Sequence, residues 1–184
     1  GSEMCIRDRH NSTEFIDITG KNNIISIGNS FDKTNYTKHD TDNILYADSS
    51  IYFNESYLEI IEDTANSFDI GTSSFTVEFW LKMTGHSVGN GSVWNCFFEF
   101  GHHNSAGCGG LGFWFHGSPH WYANLHCGYN NGSGIYKTYN SSELPWGQSV
   151  SWDKFYHIAI VRCSEASDKT INLYVDGNLL TPSS

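Results

Sequence analysis

Apolar and polar residues alternate with a period of two along much of the chain, and no helix-length window sustains a 3.6-residue period. The clearest run is Phe75 to Met83, where Phe75, Val77, Phe79, Leu81 and Met83 alternate with Thr76, Glu78, Trp80 and Lys82. Phe75, Val77, Phe79 and Leu81 are expected to be core, with Phe79→Ala costing about 3–5 kcal/mol. Weaker strand signals precede it at Phe15–Ile18 and Ile24–Ile27, joined by the turn Gly20-Lys21-Asn22-Asn23, and at Ile51–Phe53 and Tyr57–Ile61. Glu62 to Phe68 is long enough for one helical turn and no more. Later strands are expected at Val93–Phe100, Gly110–Phe115, Trp121–Cys127, Phe155–Cys163 and Thr170–Val175, with Asp176-Gly177 as a tight-turn signal. Thr84–Ser92, Gly128–Gly134 and Tyr139–Gln148 read as polar loops. The pattern predicts an all-β chain of antiparallel strands.

The first nine residues fit none of this. Met4-Cys5-Ile6-Arg7-Asp8 can be written ATG TGT ATA AGA GAC, and GGC TCG GAG supplies Gly1-Ser2-Glu3, a string that resembles the end of a sequencing-library adapter. Residues 1–9 are therefore read as translated adapter and set aside, leaving 10–184 as one domain. Gly1 to Arg9 is expected to be exposed or disordered and to leave Met4 and Ile6 out of any core.

Composition narrows the function classes. With 184 residues and 15% aromatics the chain can build a core, and 10 Lys+Arg against 20 Asp+Glu leave a net charge of −10. Such a surface repels phosphate backbones and anionic membranes, and strand-sized apolar stretches such as Ile158–Val161 are too short to span a bilayer as helices. Beyond the first nine residues Arg162 is the single arginine, which weakens any role needing bidentate clamps on phosphate or carboxylate.

The order of the strand motifs carries a resemblance. Ser50-Ile51-Tyr52-Phe53, Tyr57-Leu58-Glu59-Ile60, and Phe68-Asp69-Ile70-Gly71-Thr72-Ser73-Ser74-Phe75-Thr76-Val77-Glu78-Phe79-Trp80-Leu81-Lys82 resemble the opening of laminin-G-like domains. Trp152-Asp153-Lys154-Phe155-Tyr156-His157-Ile158-Ala159-Ile160-Val161-Arg162 and Leu173-Tyr174-Val175-Asp176-Gly177 resemble their end. These are marks of the concanavalin A-like lectin/glucanase superfamily, in its laminin-G and pentraxin-like branch. The resemblance implies an antiparallel two-sheet jelly-roll sandwich. It also implies a return strand and a closing strand after the Asp176-Gly177 turn, so the chain, stopping at Ser184, is read as truncated at its C-terminus with a sheet edge left open.

Catalysis in this fold needs two carboxylates spaced to face one cleft. Glu59, Glu62, Asp63, Glu78 and Glu99 do not have that spacing, so the chain is read as a non-enzyme with no catalytic residues. Among Cys96, Cys108, Cys127, His102, His103, His116, His120 and His126, the pair His116 and His120 has the close spacing of zinc ligands, but it straddles Gly117-Ser118-Pro119 and so does not sit on a helix, and no zinc site is read here. Setting Cys5 aside leaves four cysteines and three possible pairings, of which Cys108–Cys127 is the candidate disulfide, bridging a loop to the strand behind it. Relatives often hold calcium at the sandwich rim, but Asp48, Asp63, Asp69, Asp153, Asp168 and Asp176 form no clustered acidic loop. No cofactor is expected, and calcium stays an open alternative that no motif supports. Asn11, Asn35, Asn54, Asn90, Asn131 and Asn140 begin Asn-x-Ser/Thr sequons, which are compatible with secretion.

Sugar recognition needs aromatic faces and hydrogen-bonding groups on a rigid sheet. Period two puts Trp114 and His116 on one face of their strand, and Tyr122, Asn124 and His126 on one face of the next. If the strands pair, these five form a ligand-binding patch, with Glu78 and Trp80 expected nearby. The chain is thus read as a glycan-binding or adhesion module of a larger extracellular or virion-surface protein, with a glycan or glycoprotein and other domains of the parent chain as partners. The competing readings are a structural spacer in a phage tail, fibre or surface array, and an accessory domain of a glycoside hydrolase.

Overall fold

The computed structural model describes residues 24–28, 37–45, 50–53, 57–61, 73–84, 93–100, 111–117, 122–130, 133–140, 142–147, 152–163 and 171–183. Gly1 to Arg9, Phe15 to Ile18 and Glu62 to Phe68 lie outside the described residues. Every regular element among the described residues is a strand. Contacts group the chain into two compact units, Gly1–Asp69 and Ile70–Ser184.

In the first unit β1 (Ile24–Gly28) runs antiparallel to β4 (Tyr57–Ile61), with Ile25 opposite Ile60 and Ile27 opposite Leu58. A second pair joins β2 (Lys38–Asp40), which the sequence pattern did not signal, to β3 (Ser50–Tyr52). The Asp40 carboxylate turns the chain after β2 by accepting from the Asp42 N–H at 2.9 Å and the Asn43 amide at 3.1 Å.

The second unit is a sandwich. One antiparallel sheet has the order β12 (Asn178–Leu179), β11 (Ile171–Val175), β10 (Tyr156–Arg162), β5 (Phe75–Leu81). The other has the order β6 (Val93–Phe100), β7 (Leu111–Gly117), β8 (Tyr122–Asn130), β9 (Ser133–Asn140). Leu111, Phe113, Phe115, Ala123, Leu125 and Tyr139 of the second sheet are buried in one cluster with Ile158, Ile160, Ile171, Leu173 and Val175 of the first. Alternation in β5 is in the expected register, but Phe75, Val77, Phe79 and Leu81 are half-buried against this core rather than enclosed by it. Met83, outside that expected set, is buried past the end of the strand, where its carbonyl accepts from the Trp152 N–H at 2.8 Å.

Three departures from the sequence pattern have physical causes. Phe97 and Phe98 are adjacent, yet both pack on the core, because a bulge between Cys96 and Phe98 advances the register by one residue. Phe97 lies 5.4 Å from the Phe113 ring and Phe98 meets Phe79 edge-on at 6.4 Å, tying the two sheets together. β8 runs on to Asn130 and pairs with β9, so most of the expected Gly128–Gly134 loop is strand. The stretch expected as the polar loop Tyr139–Gln148 contributes Tyr139, Leu144 and Trp146 to the core. Trp146 stacks on Trp152 at 4.3 Å, and Tyr156 meets both rings edge-on. Polar neighbours disguise these apolar anchors. The Asp176-Gly177 turn leads into β12, and the Ser183 N–H then donates to the Thr138 carbonyl of β9 at 2.8 Å.

Tyr139 is fully buried with its hydroxyl beside the Leu173 backbone, but the two lack hydrogen-bond geometry and the hydroxyl has no partner among the described residues. Burial is the main reason its pKa is pushed up to about 12. Removing an unpaired buried hydroxyl removes its desolvation penalty, so Tyr139→Phe is expected to leave stability unchanged or raise it by about 1–2 kcal/mol. Chemical denaturation checks this, and a loss of more than about 1 kcal/mol would mean the hydroxyl makes a bond worth keeping.

Candidate functional site

The pairing of β7 with β8 sets Trp114 opposite Asn124, His116 opposite Tyr122, and His126 opposite Gly112. These positions alternate with the buried Leu111, Phe113, Phe115, Ala123 and Leu125. Trp114 is half-buried; the side chains of His116, Tyr122, Asn124 and His126 lie outside the described residues. Cys108 and the Cys127 side chain also lie outside them, while Cys96 and Cys163 carry free thiols. Cys96 pairs in register with Trp114. Part of the residue reaches solvent, yet desolvation first, and then the Glu99 charge, push its thiol up to about 11, so it is protonated at neutral pH. Among the described residues no three His, Cys, Asp or Glu side chains converge as metal ligands.

Glu78 and Trp80 do not lie near this patch. They are on β5, in the other sheet, and both are exposed on its outer surface while Phe79 between them packs on the core. The expectation failed because alternation assigns a residue to a face of its own strand but does not say which sheet holds the strand.

Trp80 instead belongs to a groove that the sequence signalled only through its turn. Asp176 and Gly177 have φ of 49° and 77°, the two positive values a type I′ hairpin turn requires. Asp tolerates that conformation better than most residues, and Gly adopts it without steric cost. The turn carries the Asp176 carboxylate to the start of β10, where Oδ1 accepts from the His157 N–H at 2.9 Å and the Asp176 N–H donates to the His157 carbonyl at 2.9 Å. Oδ2 accepts from Lys154 Nζ at 2.8 Å, and the same ammonium lies 4.5 Å from the Tyr156 ring. Across the sheet His157 pairs with Trp80; the two rings are 5.0 Å apart, and His157 Nε2 is 3.5 Å from Glu78 Oε2.

Trp80, Lys154, Phe155, His157 and Asp176 line an open groove of about 470 Å³. Trp80 keeps 41% of its surface in solvent, an unusual exposure for so large an aromatic. The hydrogen bond from Lys154 is the main cause that lowers the Asp176 pKa, and the same bond raises that of Lys154. A depressed carboxyl stabilises the fold above the ordinary carboxylate range and loses that contribution as pH falls through its lowered value. The raised ammonium contributes below the ordinary lysine range and loses its share as pH rises through the raised value. Both groups face water, so screening keeps the effect small. Asp176→Asn keeps both the turn preference and the bond from the His157 N–H, whereas Asp176→Ala loses both. The Ala variant is expected to be less stable than the Asn variant by about 1–2 kcal/mol in urea melts; equal midpoints would show that the turn does not depend on this side chain.

Residues 54–183 match the laminin G family described as the concanavalin A-like lectin/glucanases superfamily. The chain belongs to that superfamily. No curated protein and no solved structure matches it. Membership agrees with the antiparallel two-sheet sandwich and supports a carbohydrate-binding or adhesion type of module in general terms. Laminin G-like domains are typically non-catalytic.

Proposed function

We propose that this superfamily member is a non-catalytic glycan-binding or adhesion module of a larger extracellular or virion-surface protein, with a glycan or glycoprotein as its partner. The observation that carries the reading is the solvent-open Trp80 ring set in a groove with Lys154, His157 and Asp176. A pyranose presents an apolar face of C–H groups ringed by hydroxyls. An exposed indole supplies a flat surface for that face, and a carboxylate, an ammonium and an imidazole supply acceptors and donors for the hydroxyls. The strands beneath hold these groups in place, which lowers the ordering cost of binding.

The test is retention of the whole chain on a glycan array, compared with Trp80→Ala. Retention that depends on Trp80 supports the reading. No retention on any glycan would favour a structural spacer. A second seat on the outer face of β7–β8 is supported by the register that sets Trp114 opposite Asn124 and His116 opposite Tyr122. Retention that survives Trp80→Ala is expected to be abolished by Trp114→Ala at this second seat.

A further inference from the structure

Of the Asn-x-Ser/Thr sequons, Asn140-Ser141-Ser142 is the one whose asparagine falls among the described residues. Asn140 is the last residue of β9, next to the fully buried Tyr139, and period two turns it outward, where it is exposed. Its backbone ends the strand. The Asn140 N–H donates to the Glu143 carboxylate, and the Asn140 carbonyl accepts from the Glu143 N–H at 2.9 Å. Ser183 holds the same turn from the other side: its hydroxyl lies 3.0 Å from the Glu143 carboxylate, and its N–H donates to the Thr138 carbonyl at 2.8 Å. The Asn140 carboxamide takes no part in these bonds and has no hydrogen-bond partner among the described residues. Ser142, which supplies the sequon hydroxyl, is exposed as well.

We propose that Asn140 is a modification site that carries an N-linked glycan. Such a site presupposes the extracellular part of the function proposed above, not the sugar-binding part. In the transfer a bond forms between Asn140 Nδ2 and the anomeric carbon of the first sugar. The bond from that carbon to the diphosphate of a lipid-linked oligosaccharide breaks, the amide gives up one proton, and the lipid diphosphate leaves; nothing is oxidised or reduced. Transfer meets the chain before it folds, so the folded structure decides whether a bulky sugar can stay. At Asn140 it can. The bonds that close the turn come from the backbone and survive the change, and no described hydrogen bond of the carboxamide is lost. Register sets Asn140 opposite Tyr122, so the glycan stands on the outer face of the β6–β9 sheet and leaves the Trp80 groove, on the other sheet, open. Among the described residues β9 is also the last strand of its sheet, and a sugar at its end obstructs edge-to-edge pairing with a second chain.

The test expresses the whole chain behind a secretion leader in a eukaryotic cell line, which holds the lipid-linked donor. Peptide N-glycosidase in heavy-oxygen water releases the glycans and leaves a labelled Asp at each occupied site, and mass spectrometry of the peptides reads the label. Asn140 is expected to be labelled in most molecules of the folded, secreted protein. Asn140→Gln and Ser142→Ala should each remove that label and the mass of one glycan. Because the carboxamide is exposed, Asn140→Gln should melt within about 2 °C of the enzymatically deglycosylated wild type. Folded, secreted protein with Asn140 unlabelled overturns the proposal, whatever the other sequons carry, and leaves the extracellular reading standing. Failure of the wild type to be secreted counts against the extracellular reading, and the site is then decided separately. Chain made in bacteria is unfolded, treated with a purified oligosaccharyltransferase and the lipid-linked donor, and refolded. Molecules glycosylated at Asn140 that regain the near-ultraviolet circular dichroism of untreated protein support the site. Absence of transfer to Asn140, or failure to refold only where Asn140 is occupied, overturns it.

Discussion

Phe113→Ala is expected to destabilise the sandwich by about 3–5 kcal/mol, the largest loss from any single truncation discussed above. Phe113 is fully buried, pairs in register with Phe98 on one side and Leu125 on the other, and lies 5.4 Å from the Phe97 ring. Its removal opens a cavity between two sheets that cannot close independently, because strand pairing fixes each of them. For a chain of this size the loss corresponds to a fall in melting temperature of roughly 6–20 °C, and it takes a large share of the about 5–15 kcal/mol a domain has to spend. Phe79→Ala is the internal control. Phe79 is half-buried and meets Phe98 edge-on, so its truncation is expected to cost about 2 kcal/mol, below the 3–5 kcal/mol that alternation alone suggests. Equal losses at the two positions, measured by denaturant titration, would mean that the burial difference between the sheets is wrong.

The same contrast explains what the sequence could reveal. Period-two alternation identified β5, β6, β7, β10 and β11 because one face of each meets a common core and the other meets water or partly covered surface. It also ordered Trp114 with His116 and Tyr122 with Asn124 before their pairing was known. It missed β9 because Ile135, Lys137 and Tyr139 alternate across a strand that opens with Ser133-Gly134, and Lys137 breaks the apolar set while still reaching Asn172. It misread Tyr139–Gln148 because three core side chains there are spaced by residues typical of turns: Glu143 and Gly147 donate backbone bonds that turn the chain while Leu144 and Trp146 are buried. Alternation has no meaning where the backbone turns at every third residue. The groove was beyond reach for a different reason. Trp80, Lys154, His157 and Asp176 come from three separate stretches, and only the β5–β10–β11 pairing and the type I′ turn bring them together.

Trp80→Ala is expected to lower glycan retention by about thirtyfold or more while leaving the protein folded. Tryptophan truncation at the centre of a binding surface commonly costs about 2 kcal/mol or more, which is that factor in affinity. Here the loss has a specific origin: the apolar face of the sugar would be left with the smaller Phe155 and His157 rings of the groove, and the polar groups would bind hydroxyls without the broad indole surface that orients the sugar. Stability should change far less. Trp80 is 41% exposed and its ring contact is with His157 at the surface, so about 1 kcal/mol covers what the fold loses. Trp80→Phe separates the two effects, since it keeps a smaller flat ring and should retain part of the binding. The decisive comparison is melting temperature beside array signal for wild type, Trp80→Ala and Trp80→Phe. A folded Trp80→Ala that binds as well as wild type would remove the groove as the glycan seat. Binding would then have to rest on the outer face of β7–β8, where Trp114→Ala should abolish what Trp80→Ala had spared, because the two tryptophans stand on different sheets with the core between them.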